Sequence, residues 1–133
     1  GAAYCLSAGH RPPLIAFAHD RTVTSPRSVG SPLGMDADPQ FVVSRFDLRP
    51  GDRMFLFTDG LVENEGPARQ KAHIRKIVKI LGDWGLDLAQ VDRNIMAYVK
   101  GVWGDAEMDD DVAMLLVQVK ALAAAPLAYS GAA

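Results

Sequence analysis

Two groups of carboxylates stand where the chain could do chemistry. The run Met54-Phe55-Leu56-Phe57-Thr58-Asp59-Gly60-Leu61-Val62-Glu63 is an apolar strand that ends on Asp59, with a glycine directly after it. Asp109, Asp110 and Asp111 lead into a second apolar stretch, Val112 to Val119. A carboxylate at a strand end lies on the rim of a sheet, where a metal ion or a phosphate can meet it. Two such rims point to a hydrolytic centre that offers oxygen ligands to a hard cation. An Asp-Gly dipeptide alone is also an ordinary turn or cap. The strand context argues further. Asp59 continues the face that carries Phe55 and Phe57, and a carboxylate there is costly unless it is paired or holds a cation.

The neighbouring acids have plainer readings too. Asp105, Glu107, Asp109, Asp110 and Asp111 place five acids in seven residues, a solvated acidic loop unless a cation screens them. Glu63 follows Asp59 by four residues, so both face one site if the chain curls into a helical turn. Otherwise Glu63 is an exposed loop acid.

Other residue types exclude other chemistries. His10 sits in a Gly-His-Arg-Pro turn, and His19 and His73 are isolated, so no zinc ligand set forms. Ser7 and Ser31 lack a nucleophile elbow. Gly30 to Gly34 lacks the lysine of a phosphate-cradling loop.

The elements that position these residues follow from the hydrophobic pattern. Residues 2–7 and 13–18 read as short strands around a Gly- and Pro-rich link, with a weak strand at Arg21 to Thr24. Phe41 to Leu48 alternates as a strand. Pro50-Gly51-Asp52 is a tight turn, which predicts that Arg53 to Thr58 returns as the second arm of a hairpin. The period then changes. Pro67 opens a helix whose stripe is Ile74, Ile77, Val78 and Leu81, and Gly82 ends it. Asp87 and Gln90 form a capping box ahead of a second stripe, Leu88, Val91, Ile95, Val99 and Val102. Val112 to Val119 is so uniformly apolar that both of its faces are expected to be covered. Strands, then two helices, then one strand favours α+β with an antiparallel sheet over a doubly wound fold. Arg69, Lys71, Arg75, Lys76 and Lys79 on the first helix make a solvated basic face, or a docking surface for an acidic partner.

Composition bounds the rest. The chain has 133 residues, 49% hydrophobic and 23% charged, with a net charge of −2. That length suits one domain that buries roughly two-thirds of its surface on folding. The charge balance gives no nucleic-acid footprint, and no apolar run approaches the roughly 20 residues of a membrane span. A single cysteine, Cys5, allows no intrachain disulfide, and a cytoplasmic setting is expected. The N-terminus has no signal-peptide pattern.

Taken together, five segments resemble the PPM-type metal-dependent protein phosphatases of the bacterial SpoIIE/RsbU-like branch. They are Ser7-Ala8-Gly9-His10-Arg11-Pro12-Pro13-Leu14, Gly30-Ser31-Pro32-Leu33-Gly34, Leu48-Arg49-Pro50-Gly51-Asp52, Phe57-Thr58-Asp59-Gly60-Leu61-Val62-Glu63 and Asp110-Asp111-Val112-Ala113. Each is weak alone, and their order and spacing make the signal. The resemblance implies part of an α-β-β-α sandwich, with antiparallel sheets inside and helices on the outer faces. It implies removal of phosphate from phosphoserine or phosphothreonine by water activated between two Mn²⁺ or Mg²⁺ ions. Asp59 and Asp110 match metal-ligand aspartates and are the expected catalytic pair, with Asp111 and Glu63 as supporting metal ligands. No organic cofactor is implied. The expected substrate is a phosphorylated STAS-type anti-sigma-factor antagonist, with sensor or receiver domains upstream.

The departures from the family shape further expectations. The family carries a bridging aspartate, followed by glycine, in an early strand pair, and no such Asp-Gly precedes Ser7. Residues 1–120 are therefore expected to be the C-terminal portion of one phosphatase domain, inactive alone, and 121–133 an Ala-rich tail. Strands that lack their partners would be open edges, which predicts homodimerisation, strand exchange or a retained partner fragment. Ala113 stands where many relatives carry Thr or Ser. The competing readings are a catalytically dead PPM-like regulatory module, a receiver-type phospho-acceptor at Asp59, and a purely structural α+β domain. The receiver reading fails on its missing early acidic pair and missing βα alternation.

Overall fold

The computed structural model describes residues 1–27, 30–61, 66–103 and 111–121. In chain order the elements are β1 (Ala2–Cys5), β2 (Leu14–Phe17), β3 (Thr22–Thr24), β4 (Ser44–Asp47), β5 (Arg53–Phe57), a 3₁₀ turn (Asp59–Leu61), α1 (Gly66–Leu81), α2 (Leu88–Trp103) and β6 (Met114–Gln118). The fold is α+β. Four strands form an antiparallel sheet in the order β3-β2-β5-β6, and β1 pairs with β4 in a separate two-stranded sheet.

Period-2 alternation places β5 at the centre of the larger sheet. Phe55 and Phe57 turn to one face and are buried, with ring centroids 5.2 Å apart. Leu14 and Ala16 of β2 join them. The 3.6-residue period of the helices supplies the cover: Ile77 and Leu81 from α1, and Val91, Ile95 and Val99 from α2. Each of these large side chains contributes about 1.5–3 kcal/mol by leaving water. The capping box at the start of α2 forms reciprocally, with Gln90 N–H to Asp87 Oδ1 at 2.7 Å and Asp87 N–H to Gln90 Oε1 at 2.8 Å. On the opposite face, Met54 and Leu56 look across an apolar cavity of about 340 Å³ to Ala3, Cys5 and Phe46. The layers are therefore helices, four-stranded sheet, two-stranded sheet.

Two expectations are corrected. The predicted hairpin does not form, because β4 pairs with β1 while β5 pairs with β2 and β6. The tight turn is real, with Asp52 N–H to Arg49 O at 3.0 Å, but it is a corner between sheets. The Asp52 carboxylate turns that corner: it is wholly buried and accepts from Ala18 N–H at 2.8 Å and Arg49 N–H at 2.7 Å. Nor are both faces of β6 covered, since Leu115 is 56% exposed. Its partner Leu56 lies on the side away from the helices. Among the described residues the two-stranded sheet does not extend over Leu115.

Arg53 locks the helices to the sheet. It is 3% exposed and shares the face of Phe55. Its guanidinium donates to the carbonyls of Leu81 at 3.1 Å, Asp83 at 3.0 Å and Leu86, and lies 4.9 Å from the Trp84 ring centroid. Burial lowers its pKa, while Asp83 and Asp87 oppose the shift. A guanidinium remains charged through such a change. One side chain thus satisfies carbonyls at the end of α1 and in the loop that leads to α2.

Candidate metal centre

Antiparallel pairing of β5 with β6 brings the end of one strand to the start of the other, since Phe57 lies opposite Met114. Beyond that last pair the link continues through Thr58. Its N–H donates to Ala113 O at 3.0 Å, and its Oγ1 donates to Asp111 O at 3.0 Å. The same oxygen accepts from Ala113 N–H at 2.9 Å. A hydroxyl can play both parts at once. The segment at 111–113 is thereby tied to the base of the Asp59 turn, and Leu61 N–H closes that turn on Thr58 O at 3.2 Å.

Asp59 and Asp111 come to one cleft of about 270 Å³, lined also by Gly9, His10 and Thr58. The Asp59 side chain is 48% exposed, and its Oδ1 lies 3.3 Å from Arg11 Nε. That N–H misses the alignment of a hydrogen bond, so the contact is one of charge. The loop that delivers His10 and Arg11 is rigidly made. Ser7 Oγ donates to His10 O, and Gly9 N–H donates to Gly30 O at 2.9 Å. Gly9 has φ of +83°, and a Cβ there would meet Pro32 at 2.5 Å. A Cβ on Gly30 would meet the Phe41 ring at 2.2 Å. Both positions need glycine so that the two loops can touch. His10 Nδ1 lies 2.8 Å from Arg11 O. A carbonyl only accepts, so Nδ1 carries the proton.

The sequence-derived site is thus partly assembled. Asp59 and Asp111 share the cleft, whereas Asp110 and Glu63 lie outside the described residues. Among the described residues, no group of three His, Cys, Asp or Glu side chains could hold a metal ion. The donors present are carboxylate oxygens with no thiolate among them, which fits Mn²⁺ or Mg²⁺ rather than a soft metal. Thr58 and Arg11 are the residues that sequence reasoning passes over. A β-branched residue suits a strand end without any relay, and nothing local in the sequence pairs Arg11 with Asp59.

The Stage II sporulation protein E (SpoIIE) family matches residues 1–120. No curated protein matches the sequence significantly. The structure of the RsbU and RsbW domains of Rv1364c from Mycobacterium tuberculosis is similar, with a TM-score of 0.71 at 25% identity. The likeness covers 90% of this chain and 34% of that one. The PP2C phosphatase domain of the cell fate determinant SpoIIE from Bacillus subtilis, solved with a fragment of its regulatory domain, gives 0.67 at 18% identity, over 90% and 34%. A manganese-presoaked SpoIIE phosphatase domain from the same organism gives 0.63 at 18%, over 91% and 52%. The two likenesses at 18% speak to the fold. The chain spans between a third and about half of the length of these structures.

Proposed function

The chain belongs to the Stage II sporulation protein E (SpoIIE) family, and on that premise we propose that it supplies one side of a metal-dependent phosphatase centre. The reaction is hydrolysis of phosphoserine or phosphothreonine on a regulatory protein. The partner chemistry that fits is a phosphorylated STAS-type anti-sigma-factor antagonist. One observation carries the reading: Thr58 ties the end of β5 to the start of β6, so that Asp59 and Asp111 open on one cleft.

Asp59, Asp110, Asp111 and Glu63 are the residues that would hold Mn²⁺ or Mg²⁺. When bound, such ions supply a nucleophilic water at neutral pH and positive charge for the phosphoryl oxygens. The chain's own part is positional. Thr58 holds the Asp111 backbone against the Asp59 turn. Arg11 neutralises Asp59 from the side. His10 lines the cleft with its Nδ1–H engaged with Arg11 O.

The test is Mn²⁺-dependent phosphate release from a phosphoserine protein by the protein that carries this chain. Asp59→Asn should lower that release about a hundredfold or more, as loss of a charged group from a preorganised site does. Unchanged release from the variant sinks the reading. The resemblance implies a further, bridging aspartate, which Asp59, Asp110, Asp111 and Glu63 do not match. The 133-residue polypeptide alone is therefore expected to show little turnover of p-nitrophenyl phosphate. Turnover abolished by Asp59→Asn in that polypeptide would overturn this expectation. Mn²⁺-dependent release by the full protein that carries this chain separates the enzyme from a non-catalytic module that keeps the scaffold.

A further inference from the structure

Arg11 is no metal ligand, yet its charge rests on a carboxylate proposed to be one. Its Nε lies 3.3 Å from Asp59 Oδ1. The guanidinium is delivered there by its backbone. Residues 7–11 are fastened by Ser7 Oγ to His10 O, by Gly9 N–H to Gly30 O, and by the His10 ring to Arg11 O. Pro12 and Pro13 then fix the exit of the loop. The loop backbone is thus held in place, and from it the arginine side chain reaches Asp59.

A carboxylate cannot serve a guanidinium and a divalent cation on the same oxygen without setting the two cations against each other. At separations of a few ångström that repulsion is large on the scale of a surface ion pair. The pair itself holds weakly: both side chains are partly exposed, at 30% and 48%, and the Arg11 Nε–H, itself shielded from water, makes no hydrogen bond to Asp59. We propose that Arg11 is a built-in counter-cation. It occupies Asp59 until a divalent cation displaces it, so the affinity of the site is set by an exchange of cations. The inference rests on the reading of Asp59 as a metal ligand. It adds that the loop at 7–11 and the metal site are coupled, so whatever moves that loop also retunes metal affinity.

The experiment uses the full protein that carries this chain, with Mn²⁺ alone as titrant in calorimetry. Arg11→Gln should bind Mn²⁺ about three- to fivefold more tightly, the range an exposed ion pair can account for. Arg45→Gln removes the same charge from a pair with Asp47 on β4 and should leave Mn²⁺ affinity unchanged. Saturation of the wild-type protein with Mg²⁺ should shift the Arg11 Nε–H resonance in nuclear magnetic resonance, a readout that no variant's folding can disturb. A resonance that stays still overturns the proposal. So does an Arg11→Gln protein that binds Mn²⁺ equally or more weakly, or an Arg45→Gln protein that tightens as much. Asp59→Asn separates the two layers. If it leaves Mn²⁺ binding intact, the metal reading fails and the exchange fails with it. If it abolishes binding while Arg11→Gln changes nothing, the metal reading stands and the exchange alone is wrong.

Discussion

Two aspartates bracket the central strand, and the structure uses them in opposite ways. Asp52 precedes β5 and is wholly buried, with each carboxylate oxygen accepting a backbone N–H. Asp59 follows β5, is half exposed, and faces a guanidinium at 3.3 Å. Both lie beside a glycine, so the local sequence does not tell them apart. What separates them is saturation: Asp52 has spent its acceptors on backbone N–H groups, whereas the Asp59 carboxylate is half exposed and, among the described residues, meets only a charge contact at 3.3 Å. The arginines repeat the contrast: Arg53 is fixed to three carbonyls in the core, and Arg11 rests on a rim.

The sharpest way to break this comparison is at its buried end. Asp52→Ala should lower the unfolding free energy by about 3 kcal/mol, because it leaves the Ala18 and Arg49 N–H groups buried without acceptors. Chemical denaturation measures it. A loss under about 1 kcal/mol would mean that water reaches the corner and that Asp52 is no more structural than Asp59. Next in size is Arg53→Met. It keeps much of the apolar stem but strips the donors from Leu81, Asp83 and Leu86, and should cost about 2 kcal/mol.

These residues also show where sequence reasoning stops. The helices and the capping box were legible because their signals are local: a 3.6-residue stripe, and Asp87 three residues before Gln90. The rim position of Asp59 was legible for the same reason, as an apolar strand that ends on an acid. The corner at Pro50-Gly51-Asp52 was not. A turn of that chemistry serves a hairpin or a change of sheet equally well. The choice is made by Asp52 reaching Ala18, 34 positions away. Nothing local marks Arg53 as buried; the end of α1 and the loop that leads to α2 place three carbonyls around it. Leu115 reads as core because composition cannot say which face of a strand has a cover.

Thr58 lies between the two ends in both position and expected effect. Thr58→Val keeps the shape of the side chain and removes the hydroxyl that links Asp111 O to Ala113 N–H. Stability should fall by about 1 kcal/mol, since these groups are near solvent and water takes up part of the loss. Mn²⁺ affinity should fall as well, because the segment bearing Asp111 is no longer tied to the Asp59 turn. Calorimetric titration reads that loss. A variant that loses stability but keeps full Mn²⁺ affinity would place Thr58 with Asp52, as a fold residue only.

The smallest expected effect on stability is the most telling. Asp59→Asn should change the unfolding free energy by no more than about 0.5 kcal/mol without metal, because the exposed pair with Arg11 contributes little. In wild type, added Mn²⁺ should raise the unfolding temperature, since a ligand that binds only the folded state stabilises it by mass action. In Asp59→Asn that rise should vanish. An acid that the fold does not need, but whose removal abolishes stabilisation by a cation, is kept for the cation. If Asp59→Asn instead destabilises the metal-free protein as much as Asp52→Ala does, the two ends of β5 are alike. The carboxylate at the rim would then be one more structural cap.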